Sequence, residues 1–92
     1  MANSVIKNQF YLHTDSQSLT ISEGHKWDST TTFTLPSMSG YTIASISAFS
    51  SNAAIVPCGT YIDTLTCKVF AYNLADSART ANISLRVLYK AS

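Results

Sequence analysis

The most regular pattern in the chain lies near its C-terminus, where Ile83, Leu85, Val87 and Tyr89 alternate with Ser84, Arg86 and Lys90. Successive side chains of a strand point to opposite faces, so this period of two predicts a strand with one face in a core and the other mostly wet. Only Leu88 interrupts the polar side. Residues 65–72 set Leu65, Cys67, Val69 and Ala71 against Thr66, Lys68, Phe70 and Tyr72, which predicts a second strand of the same kind. The segment between them, 73–79, is too short to hold a helix unaided and reads as a hairpin loop with room for one helical turn. Residues 41–50 alternate imperfectly, with Ile43 and Phe49 on one side and Ala44, Ile46 and Ala48 on the other. A strand apolar on both faces is expected either at the centre of a sandwich or against another subunit. Phe33 with Leu35, and Leu19 with Ile21, mark shorter strands, and near the N-terminus Ile6, Phe10 and Leu12 share a side with Asn8.

Glycine and proline punctuate this pattern at Gly24, at Pro36-Ser37-Met38-Ser39-Gly40, and at Pro57 with Gly59. Between those points the chain is β-branched, aromatic and hydroxyl-bearing, which suits a pleated, half-buried surface. Six or seven short strands at turn spacings of about 8 to 12 residues predict an all-β fold, a small antiparallel β-sandwich or jelly-roll-like domain. No linker, repeat or charge block divides the chain, so residues 1–92 are expected to form one domain, with 1–4 as a flexible lead-in.

Charged residues make up 12% of the chain, about half the usual share. Ser and Thr fill the gap with 25 of the 92 positions, and the formal net charge is +1. That balance gives no support to a nucleic-acid groove or a polybasic membrane patch. The longest strongly apolar run is about four residues, 53–56, far short of the ~20 needed to insert a helix in a membrane. The N-terminal residues show no apolar stretch ending in a small-residue cleavage site, so no secretory signal is expected. Cys58 and Cys67 lie nine positions apart, and two free, buried or half-buried thiols are the simplest reading of the pair.

Catalytic chemistry finds little footing. There is no Gly-x-Ser-x-Gly elbow, and with fourteen serines the coexistence of Ser, His and Asp carries no information. His13, His25, Cys58 and Cys67 lack the close pairwise spacing of a structural zinc site. One Glu and four Asp show no paired-carboxylate arrangement, and no glycine-rich loop would cradle a phosphate. The expectation is therefore no enzyme, no cofactor and no metal. One segment does concentrate recognition chemistry: Glu23-Gly24-His25-Lys26-Trp27-Asp28 reads as a loop carrying the only Trp. Trp27 offers a stacking face for a sugar, and His25 and Asp28 offer hydrogen bonds, although a large aromatic beside a strand also serves to cap a core. Tyr61 and Asp63, past the Pro57–Gly59 break, form a second candidate. Asn82-Ile83-Ser84 fits a glycosylation pattern but falls within a predicted strand.

Several short stretches point to a known family. Ser39-Gly40-Tyr41-Thr42-Ile43-Ala44-Ser45-Ile46 resembles the strand entry of small C-terminal domains of bacteriophage tail fibres and related receptor-binding proteins. Phe33-Thr34-Leu35-Pro36, Val69-Phe70-Ala71-Tyr72-Asn73-Leu74 and Leu85-Arg86-Val87-Leu88-Tyr89-Lys90 resemble further stretches of the same domains. The resemblance covers about residues 30–92. It implies a homotrimeric β-sandwich at the fibre tip, a virion protein made in the host cytoplasm that binds a bacterial surface glycan or protein. It supplies no binding residues of its own, because the loops of such domains vary with the host. The rival expectations are a structural virion module with no host ligand (a fibre knob, capsid decoration or trimerisation cap) and a carbohydrate-binding module of an enzyme.

Overall fold

The computed structural model describes residues 9–92. The seven strands are β1 (Phe10–Ile21), β2 (Lys26–Ser29), β3 (Phe33–Thr34), β4 (Tyr41–Ser50), β5 (Ile55–Asp63), β6 (Thr66–Asn73) and β7 (Arg79–Ala91). They form two antiparallel sheets. In one, β7 lies between β1 and β4. In the other, β6 is central, with β5 along one edge and β2 and β3 in tandem along the other. The architecture is all-β, as the alternation predicts.

The core forms where the central strands face one another. Ile83, Leu85 and Val87 of β7 are fully buried, as are Val69 and Ala71 of β6; Cys67 and Tyr89 are almost so. Leu19, Ile21, Phe33, Leu35 and Ile55 close the layer. Burying each of the larger aliphatics contributes about 1.5–3 kcal/mol, so the two alternating strands seen in the sequence supply the centre of the hydrophobic stabilisation.

Elsewhere the structure departs from the alternation, for identifiable reasons. The mixed pattern of β4 arises from a bulge between Ile43 and Ser45. One extra residue reverses the phase, so Ile43, Ile46 and Ala48 stand opposite the core residues Tyr89, Val87 and Leu85. β4 is an edge strand rather than a central one. Phe49 points the other way, with the Arg86 guanidinium 4.7 Å from its ring centroid, and Ala44 falls at the bulge itself. Phe10 and Leu12 pair with Lys90 and Leu88 on the outer face of their sheet and are 55% and 52% exposed. The shared side expected for them is therefore not a core face; Ile6 and Asn8, and the expected lead-in at 1–4, lie outside the described residues.

Pro57 and Gly59 do not end a strand. β5 runs through them, with a bulge at this point that moves the register past Cys58. Proline is tolerated because β5 is an edge strand and its free side needs no ladder donor. The real turn comes later: Asp63 pairs with Thr66, leaving Thr64 and Leu65 as a two-residue loop, with Thr64 at φ 56°. Leu65 is consequently 44% exposed rather than in the core. Gly40, at φ 81°, supplies the left-handed conformation that leads into β4.

The segment after β6 contains no helical turn; Asn73 organises it instead. This fully buried amide donates through Nδ2 to Glu23 O (3.0 Å) and Ser77 O (2.9 Å), and its Oδ1 accepts from Ala75 N–H (3.0 Å). Thr30 does similar work at the β2–β3 junction, where its N–H donates to Val69 O and its Oγ1 accepts from Val69 N–H. These two buried polar side chains fasten β2 and its preceding loop to the central strand.

Candidate functional site

The outer face of the β6 sheet is built by the residues between the core positions. Along β6 these are Thr66, Lys68, Phe70 and Tyr72. Register adds Trp27 beside Tyr72 and Ser29 beside Phe70 on β2. On β5 it adds Val56 beside Tyr72, Tyr61 beside Lys68 and Asp63 beside Thr66. Trp27 is 61% exposed, Tyr61 59% and Phe70 41%. Single exposed apolar residues are ordinary; several aromatics on one sheet face are not. Trp27 packs edge-on against Tyr72, with centroids 5.0 Å apart and an interplanar angle of 62°. Trp27 is therefore not a cap on the core.

Towards the other end of this face lies a groove of about 480 Å³ lined by Thr32, Tyr61, Asp63, Thr66, Lys68 and Phe70, together with Cys67. It combines two aromatic rings with an ammonium, a carboxylate and hydroxyls. That mixture of apolar surface and a few directed polar groups is typical of small-ligand sites. Two other depressions lack this mixture: one of about 300 Å³ at the end of the sandwich around Met38, Tyr41 and Leu65, and one of about 470 Å³ among Thr14, Ser16, Ser84 and Arg86.

Three of the five residues singled out in the sequence share this face: Trp27, Tyr61 and Asp63. The other two do not flank Trp27 in one loop as expected, because Lys26–Ser29 is a strand. Asp28 pairs with Ala71 and so sits on the opposite side of β2 from Trp27; its Oδ1 accepts the Ser29 N–H at 2.8 Å. His25, at φ 52°, is tied to the β6–β7 loop: its N–H donates to Ala75 O, and its Nε2 lies 2.8 Å from Asp76 Oδ1. Both partners of that pair are largely exposed.

Lys68, Phe70 and Tyr72 join Trp27, Tyr61 and Asp63 on this face without being among the sequence candidates, although the alternation along β6 already sets them apart from Cys67, Val69 and Ala71. The signal was an outward side carrying two aromatics where polar residues are usual. Cys58, also exposed, donates its S–H to Phe70 O at 3.3 Å, while Cys67 is buried; both thiols are free. Burial pushes both thiols above their ordinary pKa, with a backbone hydrogen bond from Tyr61 partly opposing this at Cys67. Among the described residues no three of His, Cys, Asp and Glu come together as metal ligands. No protein family, curated protein or solved structure matches the chain.

Proposed function

We propose that this chain is a non-enzymatic attachment module that reads a bacterial surface glycan, used at the tip of a phage tail fibre. The observation that carries the glycan reading is the exposure of Trp27, Phe70 and Tyr61 together on one sheet face, beside the groove holding Asp63 and Lys68. A pyranose ring presents C–H patches that stack on aromatics, and hydroxyls that need donors and acceptors at the rim. The resemblance of residues 30–92 to tail-fibre tip domains supplies the virion context.

The same reading includes a homotrimer. The face available for it is the outer side of the other sheet, where Phe10 and Leu12 are exposed next to Leu88. Trimerisation there would leave the aromatic face outward on all three copies, and repeated weak contacts would add by avidity. The test pairs a glycan array with light scattering on the intact chain. Binding to surface glycans is expected, with a mass of roughly 30 kDa for three 10.0 kDa chains. Trp27→Ala should reduce binding by about tenfold while leaving the fold and mass unchanged. Absence of glycan binding would refute the recognition reading, and a persistent monomer the assembly reading.

A further inference from the structure

Trp27, Phe70 and Tyr61 are not scattered over the sheet. Trp27 lies opposite Tyr72, two residues along β6 from Phe70; Tyr61 lies opposite Lys68, two residues further in the same direction. Each step is thus a diagonal, one strand across and two residues along. With strands about 4.8 Å apart and about 3.4 Å per residue, each step is about 8 Å and the three Cα positions fall on one line about 17 Å long. That length accommodates a short linear run of linked pyranose rings.

The flanks of this line differ. On one side stand Ser29 and Lys68; on the other stand Tyr72 and Val56. Asp63, two residues beyond Tyr61 on the same strand, stands off the line on the Ser29 and Lys68 side. Lys68 and Asp63 offset one another, so the track carries no net charge to select an ionic ligand.

We infer that this diagonal is a track for a linear, uncharged oligosaccharide of at least three rings, lying across the strands, with its polar edge towards Ser29 and Lys68. The inference rests on the glycan reading and specifies its ligand. A folded protein is the poorer occupant. Three strands by eight residues present a footprint of about 14 × 27 Å, or roughly 400 Å², about half the ~800 Å² per partner of a stable interface. A chain of sugar rings needs only a narrow strip and alternates apolar faces with hydroxyl edges, as the track does.

The test uses the intact chain and three series of neutral linear oligosaccharides, each from one to six rings: β-1,4-linked glucose, α-1,4-linked glucose and β-1,4-linked N-acetylglucosamine. An array of branched and acidic glycans runs alongside. Trp27 is the only indole, so its emission reports occupancy of one end of the track, and calorimetry reports total binding. At least one series should gain tenfold or more in affinity between two and four rings and then level off. Trp27→Ala, Phe70→Ala and Tyr61→Ala should each reduce tetrasaccharide affinity about tenfold, with melting temperatures near that of the parent. Affinity independent of chain length, or binding confined to branched or acidic glycans, would overturn the track while leaving glycan recognition standing. No binding to any series or to the array would overturn both. Loss of binding for one variant, with the other two neutral, would reduce the track to a single ring site and also overturn it.

Discussion

Replacing Asn73 by Ala removes a side chain that ties both loops at one end of the sandwich to the central strand. Its backbone pairs with Lys26 and Ile55 would remain, so the perturbation is confined to the amide. Three hydrogen bonds of 2.9–3.0 Å are lost, leaving Glu23 O, Ser77 O and Ala75 N–H without that partner. A net contribution of about 1 kcal/mol per bond gives a loss of about 3 kcal/mol. A domain of this length has a total stability of about 5–14 kcal/mol, so the change is a large fraction of it. The corresponding fall in melting temperature is roughly 12–24 °C. Chemical denaturation gives the energy, and amide exchange at Ala75 reports the loop directly, because its N–H bonds the lost oxygen. Asn82→Ala is the control: Asn82 is exposed and should change stability by less than about 0.5 kcal/mol. A loss below about 1 kcal/mol for Asn73→Ala, or unchanged protection at Ala75, would show that the loops hold together without it.

Gly24→Ala should destabilise by about 2 kcal/mol in thermal melts, since the new Cβ would overlap Ala75 O and the Asp76 backbone; a neutral effect would mean that the two loops move apart freely. Thr64→Asn should raise stability by about 0.5–1 kcal/mol, because a β-branched residue at φ 56° is strained and Asn tolerates that region; a loss would mean that the Thr64 hydroxyl contact with Asp63 outweighs the strain. In native protein a thiol reagent should modify Cys58 alone, and Cys67 only after denaturation; Cys58→Ser should be nearly neutral and Cys67→Ser should cost about 1–3 kcal/mol. Stability should also fall at alkaline pH. Burial raises the Cys67 thiol, while burial and then the neighbouring Tyr11 raise the Tyr89 phenol, so the native state keeps protons that the unfolded chain has released. The stabilisation is complete below the unfolded thiol value of about 8.5 and is lost as pH rises through the higher native values, by up to about 1.4 kcal/mol per pH unit for each group. Melts between pH 7 and 11 should show this decline, shallower from its onset in Cys67→Ala; a flat profile would refute it.

Where one residue in two was apolar without interruption, as along β6 and β7, the sequence alone determined the strand, its inward face and the all-β class. A period of two has one solution when a single face must leave water. The same rule identified Phe33 with Leu35 and Leu19 with Ile21 as inward pairs. It failed at β4 and β5, because a bulge adds one residue and reverses the phase, and nothing local in Ile43-Ala44-Ser45 or Pro57-Cys58-Gly59 announces it. It failed for Phe10 and Leu12 because hydrophobicity does not say which face another sheet will cover. Tertiary structure alone decided which side of β2 carries Trp27, that Asp28 lies on the other, and that His25 is held by Asp76 from a distant loop. The diagonal of Trp27, Phe70 and Tyr61 also belongs to it, since it exists only once the register of β2 and β5 on β6 is set. β2 pairs with β6 residues more than forty positions away, and a bulge shifts the β5–β6 hairpin, so no local pattern encodes either register.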